Sequence, residues 1–80
     1  MNIELYCFAA MKDYFPARDS LSLEKVETVA DLRNHLSVLK PDSSDLLRLC
    51  RFAINQTIVA DEVKLFDGAS VAVLPPSSGG

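Results

Sequence analysis

The side chains with the widest chemical repertoire are scarce in this chain and do not converge by spacing. There is one histidine, His35, set between Asn34 and Leu36. No second imidazole exists to share a metal with it, and its phase next to Leu32 and Leu36 reads as packing at the edge of an apolar stripe. Cys7 and Cys50 lack the short spacing of zinc ligands, so no metal site is expected. Arg51 follows Cys50 and could lower that thiol's pKa; the preferred reading is two buried cysteines behaving as small hydrophobes. Glu24, Glu27, Asp31, Asp42, Asp45, Asp61 and Glu62 scatter over caps, loops and turns, as acids on a solvated surface do. Gly68, the lone internal glycine, builds no phosphate-cradling loop. Catalysis by side chains is therefore not expected, and the group left to react is the carboxylate of Gly80.

The segment that carries it, Leu74-Pro75-Pro76-Ser77-Ser78-Gly79-Gly80, suits a working tail. Pro75 and Pro76 remove backbone donors and favour an extended path, so they stop a strand and send the chain outward. Ser77 and Ser78 are small and polar. Gly79 and Gly80 lack a Cβ, which lets the segment thread a narrow channel and lets an enzyme close on the last carbonyl. At a glycine usage of about 7%, two terminal glycines arise by chance in about one chain in 200.

Composition narrows the partners. Eighty residues make one domain, read as a folded body over 1–76 and a tail over 77–80. The formal net charge of −3 argues against a nucleic-acid partner, which would call for a basic patch. No apolar run approaches the roughly 20 residues of a membrane span, and Met1 to Ala10 has an acid and no basic leader, unlike a signal peptide. With two widely separated cysteines and no disulfide pattern, the expected compartment is the cytoplasm.

The elements that must position the tail follow from periodicity. Asn2 to Phe8 alternates with Ile3, Leu5 and Cys7 on one face, which predicts a strand. Ala10 to Ser20 reads as a loop, and Leu21 to Glu24 as a second strand paired with the first. Thr28 and Asp31 form a capping-box pattern, after which Val29, Leu32, Leu36 and Leu39 recur at helical spacing until Pro41. Asp42 to Cys50 reads as a second short helical segment. Phe52 to Gln56 and Thr57 to Ala60 are short strands, Asp67-Gly68 a turn, and Ser70 to Leu74 the last strand. The first and last strands are the natural central pair, and if they run parallel the main helix supplies the crossover. The expected architecture is α+β, a β-grasp, with a mixed sheet of about five strands and one main helix across one face. On strand parity Phe8 and Leu74 face away from the helix. They form either an exposed apolar patch at the root of the tail, which would mark a protein interface, or a surface covered by the Ala10–Ser20 loop.

Taken together, "CFAAMKD" at Cys7–Asp13, "TVADLRNHL" at Thr28–Leu36, "AINQTIV" at Ala53–Val59, "DG" at Asp67-Gly68 and the final "PPSSGG" resemble the small subunit of molybdopterin synthase, a family of ubiquitin-like sulfur carriers. The resemblance spans the whole chain. It implies a reaction on Gly80: an E1-like, ATP-using partner adenylates the carboxylate, a sulfur donor converts it to a thiocarboxylate, and the sulfur passes to cyclic pyranopterin monophosphate. Active-site side chains would then lie on the large synthase subunit, in a heterotetramer, and this chain would bind no cofactor itself. Ser77, Ser78 and Gly79 match the inserted tail, and Phe8, Ile58, Leu74, Pro75 and Pro76 match interface positions. The chain departs from the family pattern at Ala69 and Ser70, where an acidic pair is usual, at Val73 and Leu74, where aromatics are usual, and at Ser77, commonly valine. Rival readings are a carrier for thiamine synthesis or tRNA thiolation, a modifier ending in an isopeptide bond, and an inert-tailed interaction module. The proline pair favours the molybdopterin branch.

Overall fold

A computed structural model describes residues 1–77. The chain runs through β1 (Asn2–Cys7), a 3-10 turn (Ala9–Asp13), β2 (Arg18–Ser22) and helix α1 (Val29–Leu39). A second 3-10 turn (Pro41–Ser43), a short helix α2 (Ser44–Leu49), and strands β3 (Arg51–Ile54), β4 (Thr57–Val59) and β5 (Ser70–Leu74) follow. The sheet order is β2-β1-β5-β3-β4. Only β1 and β5 are parallel, with Leu5 beside Val71 and Cys7 beside Val73; the other pairs are antiparallel. This is the β-grasp arrangement expected from the sequence.

One face of the sheet meets the helices. Ile3, Leu5 and Cys7 of β1, Val71 and Val73 of β5 and Phe52 and Ile54 of β3 are buried there against Val29, Leu32 and Leu36 of α1 and Leu47 of α2. The cap at Thr28 is reciprocal: its hydroxyl accepts from the Asp31 N–H at 3.2 Å, while the Asp31 carboxylate accepts from the backbone N–H groups of Thr28 and Glu27. Those two donors hold the Asp31 carboxyl below the ordinary carboxylate range.

Helix α2 spans six residues, too short to persist on its own, and its far end is held from α1. The Arg33 guanidinium donates to the carbonyls of Leu47 and Cys50 and to the Asp61 carboxylate, the last at 2.8 Å. Its plane also lies over the Phe52 ring, 4.7 Å from the centroid. One side chain thus closes the C-terminal carbonyls of α2 and ties it to α1 and to the loop after β4.

Several boundaries differ from the sequence expectation. The Ala10–Ser20 segment is not a loop throughout: it holds most of the first 3-10 turn and the start of β2, which begins at Arg18 and ends at Ser22. As an edge strand β2 is mostly exposed, so it carries no apolar alternation to read. Leu39 is 51% exposed rather than part of the core stripe. The core ends at Leu36, and Ser43 of the following 3-10 turn, fully buried with its hydroxyl on the Lys40 carbonyl, closes that end instead. Asn55 and Gln56 are not strand but hairpin turn, both with positive φ (48° and 73°), the backbone of a type I′ connection.

Replacing Thr28 by Ala removes one side of the cap and should cost about 1 kcal/mol, read as a lower midpoint in urea. Asp31 adds a pH dependence whose sign follows from its lowered pKa. Its contribution is fully present above the unfolded carboxyl value of about 3.9 and disappears as pH falls through the folded value. The Tm gap between wild type and Asp31→Asn should therefore be open at neutral pH and close in acid. Arg33→Met leaves the Leu47 and Cys50 carbonyls without that donor. It should cost about 2 kcal/mol, a fall in Tm of roughly 8–16 °C for a domain of this size.

Candidate functional site

The face of the sheet turned away from the helices is built by the same alternation that fills the core. Register places Tyr6 beside Ala72, Ala72 beside Ala53, and Ala53 beside Ile58. One step further along, Arg51 pairs with Leu74, and Phe8 follows Cys7, whose partner is Val73. Phe8 is 47% and Ile58 55% exposed. The loop after β1 does not cover them. Ala9 takes a φ of +50°, and the chain then turns inward, where Met11 and Phe15 are buried in the core. Of the two readings, the structure shows the uncovered one for Phe8, while Leu74 is half-buried.

Two hollows lie near the root of the tail. One, of about 340 Å³, is lined by Tyr6, Phe8, Gln56, Ser70 and Ala72. The other, of about 450 Å³, gathers Leu49, Arg51, Ile58, Leu74, Pro75 and Pro76. Four of the five expected interface residues therefore share one groove, and Phe8 lies in the hollow beside it. Ser77 lines the mouth of that groove; Ser78, Gly79 and Gly80, which carry the expected chemistry, lie outside the described residues. Leu49, Arg51 and Gln56 were not singled out as surface residues from the sequence. Arg51 was legible there: with Phe52 and Ile54 inward, strand parity puts it on the outer face beside Leu74.

Charge on this face is mostly neutralised at one margin. Arg18 pairs with Glu4 at 3.1 Å and its guanidinium lies 5.6 Å from the Tyr6 ring centroid, while Ser20 donates to the same carboxylate. The Ser20 hydroxyl and then Arg18 lower the Glu4 pKa. Arg51 has no ion-pair partner among the described residues.

The cysteines are not reactive centres. Burial pushes the Cys7 thiol up to about 11, with smaller contributions from Cys50 and Asp19. Burial also raises Cys50, against the pull of the Arg33 cation, and its thiol donates to the Leu46 carbonyl at 3.2 Å. The cation that acts on Cys50 is Arg33, since Arg51 faces the other side of the sheet, and the lowering considered from the Cys50-Arg51 pair is not what the structure shows. His35 is half-buried on α1. Among the described residues no three His, Cys, Asp or Glu side chains could hold a metal ion, and no helix is long and apolar enough to cross a membrane. Ala69 is fully buried, so it could not present a side chain to a partner, whereas Ser70 opens onto the hollow beside Phe8.

A strand-borne apolar face leading into a Pro-Pro-Ser-Ser-Gly-Gly segment is matched by one family model, described as the ThiS family, over residues 6–80. The chain belongs to the ThiS family. At this level the resemblance to ubiquitin-like sulfur carriers read from the sequence is borne out. Solved structures share the ThiS-family fold seen here. A putative molybdopterin converting factor subunit 1 from Pyrococcus furiosus is 20% identical, with 96% of this chain and 99% of that one covered and a TM-score of 0.81. SAMP1 from Haloferax volcanii is 20% identical over all of both chains, with a TM-score of 0.80. A Helicobacter pylori protein–protein complex of subunits 1 and 2 of molybdopterin-converting factor supplies a chain 23% identical over all of both, with a TM-score of 0.71. A sequence comparison with curated proteins gave no match.

With both thiols buried and their pKa values raised, neither Cys7 nor Cys50 should react with a disulfide reagent in the folded ThiS-family chain at pH 8. Two thiols per chain should appear on adding denaturant. Rapid labelling of either in the native protein would contradict this account.

Proposed function

We propose that this chain is the sulfur-carrier subunit of a molybdopterin synthase, and that its reactive group is the carboxyl of Gly80. The observation that carries the reading is the exposed groove of Ile58, Leu74, Pro75 and Pro76, which lies where β5 hands the chain to the Ser-Ser-Gly-Gly segment. The family membership and the fold shared with molybdopterin converting factor subunit 1 support it.

A terminal carboxyl has a pKa near 3.5, so at neutral pH it is an anion and a poor electrophile. Activation therefore precedes sulfur transfer. One carboxylate oxygen attacks the α-phosphorus of ATP on an E1-like partner, pyrophosphate leaves, and the acyl-adenylate carbonyl becomes open to attack. A sulfur donor then displaces AMP and leaves a thiocarboxylate, whose sulfur passes to cyclic pyranopterin monophosphate on the large subunit. This chain's share is positional. Pro75 and Pro76 direct the segment out of the sheet, Ser77 and Ser78 extend it, and Gly79 and Gly80 admit it to a narrow channel. Phe8, Ile58 and Leu74 dock the body. The Helicobacter pylori structure holds subunit 1 with subunit 2, which supports a large-subunit partner for this chain; the assembly in this proposal is a heterotetramer in the cytoplasm.

A second reading, a protein modifier joined through Gly80 to a lysine, draws on the fold shared with SAMP1. Incubation with ATP, the adenylating enzyme and a sulfur donor, followed by mass analysis of the C-terminal peptide, separates the two. The carrier reading expects one oxygen replaced by sulfur, and deletion of Gly80 should abolish pterin conversion while leaving the thermal melt unchanged. An unshifted peptide together with lysine-linked adducts on a denaturing gel would instead establish the modifier.

A further inference from the structure

Among the described residues, Arg51 is the one charged residue in the groove at the root of the tail, and no acid lines it. It opens β3 and pairs across the sheet with Leu74, in a strand whose next residue, Phe52, turns into the core. Around it stand Leu49, Ile58, Leu74, Pro75 and Pro76, and Leu49 is 62% exposed. The other arginines on the described surface are engaged: Arg18 with Glu4, Arg33 with Asp61 and Arg48 with Asp45. Arg51 has no such partner among the described residues.

Geometry makes burial of this arginine hard to avoid. Gly80, on which the proposed chemistry falls, stands three residues beyond Ser77, and three extended residues span at most about 10 Å. An enzyme that acts on the Gly80 carboxyl must bring its body against the groove. The apolar walls gain from that contact, but a guanidinium taken out of water without a counter-charge costs several kcal/mol. A bidentate carboxylate offsets that cost better than any neutral group, because its two oxygens match the planar fork of N–H donors.

We propose that the surface which docks on this groove presents an aspartate or glutamate to Arg51, framed by apolar side chains, and that this ion pair selects the cognate partner. The proposal rests on the sulfur-carrier reading and deepens it by naming the chemistry of the partner surface; the partner to which it commits is the large synthase subunit. The apolar contacts supply the general attraction of one β-grasp face for its acceptor. Arg51 makes the contact selective, since a partner with a lysine or an apolar residue at the facing position leaves a buried cation unpaired.

The test uses the full-length chain and the large synthase subunit from the same organism, with binding measured by titration calorimetry. Arg51→Ala should weaken binding at least tenfold and Arg51→Glu further, with the loss mainly in the dissociation rate. Arg51 is exposed, so both variants should melt as the wild type does. The affinity of the wild type should fall between about 0.05 and about 0.5 M salt, and that of Arg51→Ala should fall less. An Asp→Arg or Glu→Arg change on the large subunit should restore binding to Arg51→Glu. Wild-type affinity in both variants, with Leu74→Ala weakened, would overturn the role of Arg51 and leave the carrier reading standing. Failure of the wild type itself to bind the large subunit would overturn the carrier reading and the inference with it.

Discussion

Parallel strands cannot be joined by a tight turn, and the pairing of β1 with β5 dictates most of what lies between them. The chain must leave the sheet after its first strands, cross it, and return, which is the work of α1 packed over Leu5, Val71 and Val73. The same pairing fixes where the tail emerges. Because β5 has β1 on one side and β3 on the other, the segment after Leu74 leaves from the middle of the sheet rather than from an edge. The side chains that flank its exit come from the two neighbouring strands and the hairpin beyond, Phe8 on one side and Arg51 and Ile58 on the other. An apolar face around the tail root is therefore a consequence of the topology, and the sequence needs only to place apolar residues at the outward positions of strands that already exist.

Small size makes the remaining polar accounting tight. An 80-residue chain buries a modest share of its surface, and α2 is too brief to satisfy its own terminal carbonyls. Arg33 resolves both difficulties at once: two of its bonds close α2, a third binds the Asp61 loop, and the guanidinium lies over the Phe52 ring. The charge is held where it does structural work on the helix side, while Arg51, one strand position from Phe52, is left to face outward. Two arginines close together in the fold thus have opposite fates, set by which side of β3 each occupies.

The parts of this fold governed by a strong local rule could be read directly. Thr28 and Asp31 mark the start of α1 to the residue, and Ser70–Leu74 is bounded as expected because alternation on one side and two prolines on the other leave no freedom. The boundaries that shifted are those where the signal comes from distant neighbours. Strand β2 forms because β1 offers an edge to pair with, and its mostly exposed side chains carry no period. The Asn55-Gln56 turn is disguised because Gln56 stands where glycine would be expected for a φ of 73°; Asn55 compensates by binding Ser70 through both its backbone and its side chain. Leu39 obeys the helical period and is still exposed, since a periodic position is buried only while there is a sheet beneath it. At the candidate site, the apolar residues and Arg51 are legible by parity and by resemblance, whereas the grouping of Leu49 with them depends on α2 ending beside β3.

A domain proposed to react through its terminal carboxyl places one demand on its scaffold: a surface beside the tail root that identifies the chain. The described residues meet that demand through stiffness. Each strand that frames the tail root is anchored in the core by its alternate residues, Cys7, Phe52 and Val73. Even Ala53, which faces outward, is 5% exposed beneath its neighbours, so the outer face is closed by small side chains, its prominent apolar features are Phe8 and Ile58, and Leu74 is half-buried. A partner reading this surface meets a level floor with a few apolar projections and, among the described residues, one arginine without an ion-pair partner. Recognition can then be selective without any change of shape in the carrier. Such a surface suits the proposed carrier role, in which reorganisation would otherwise be repeated at every docking.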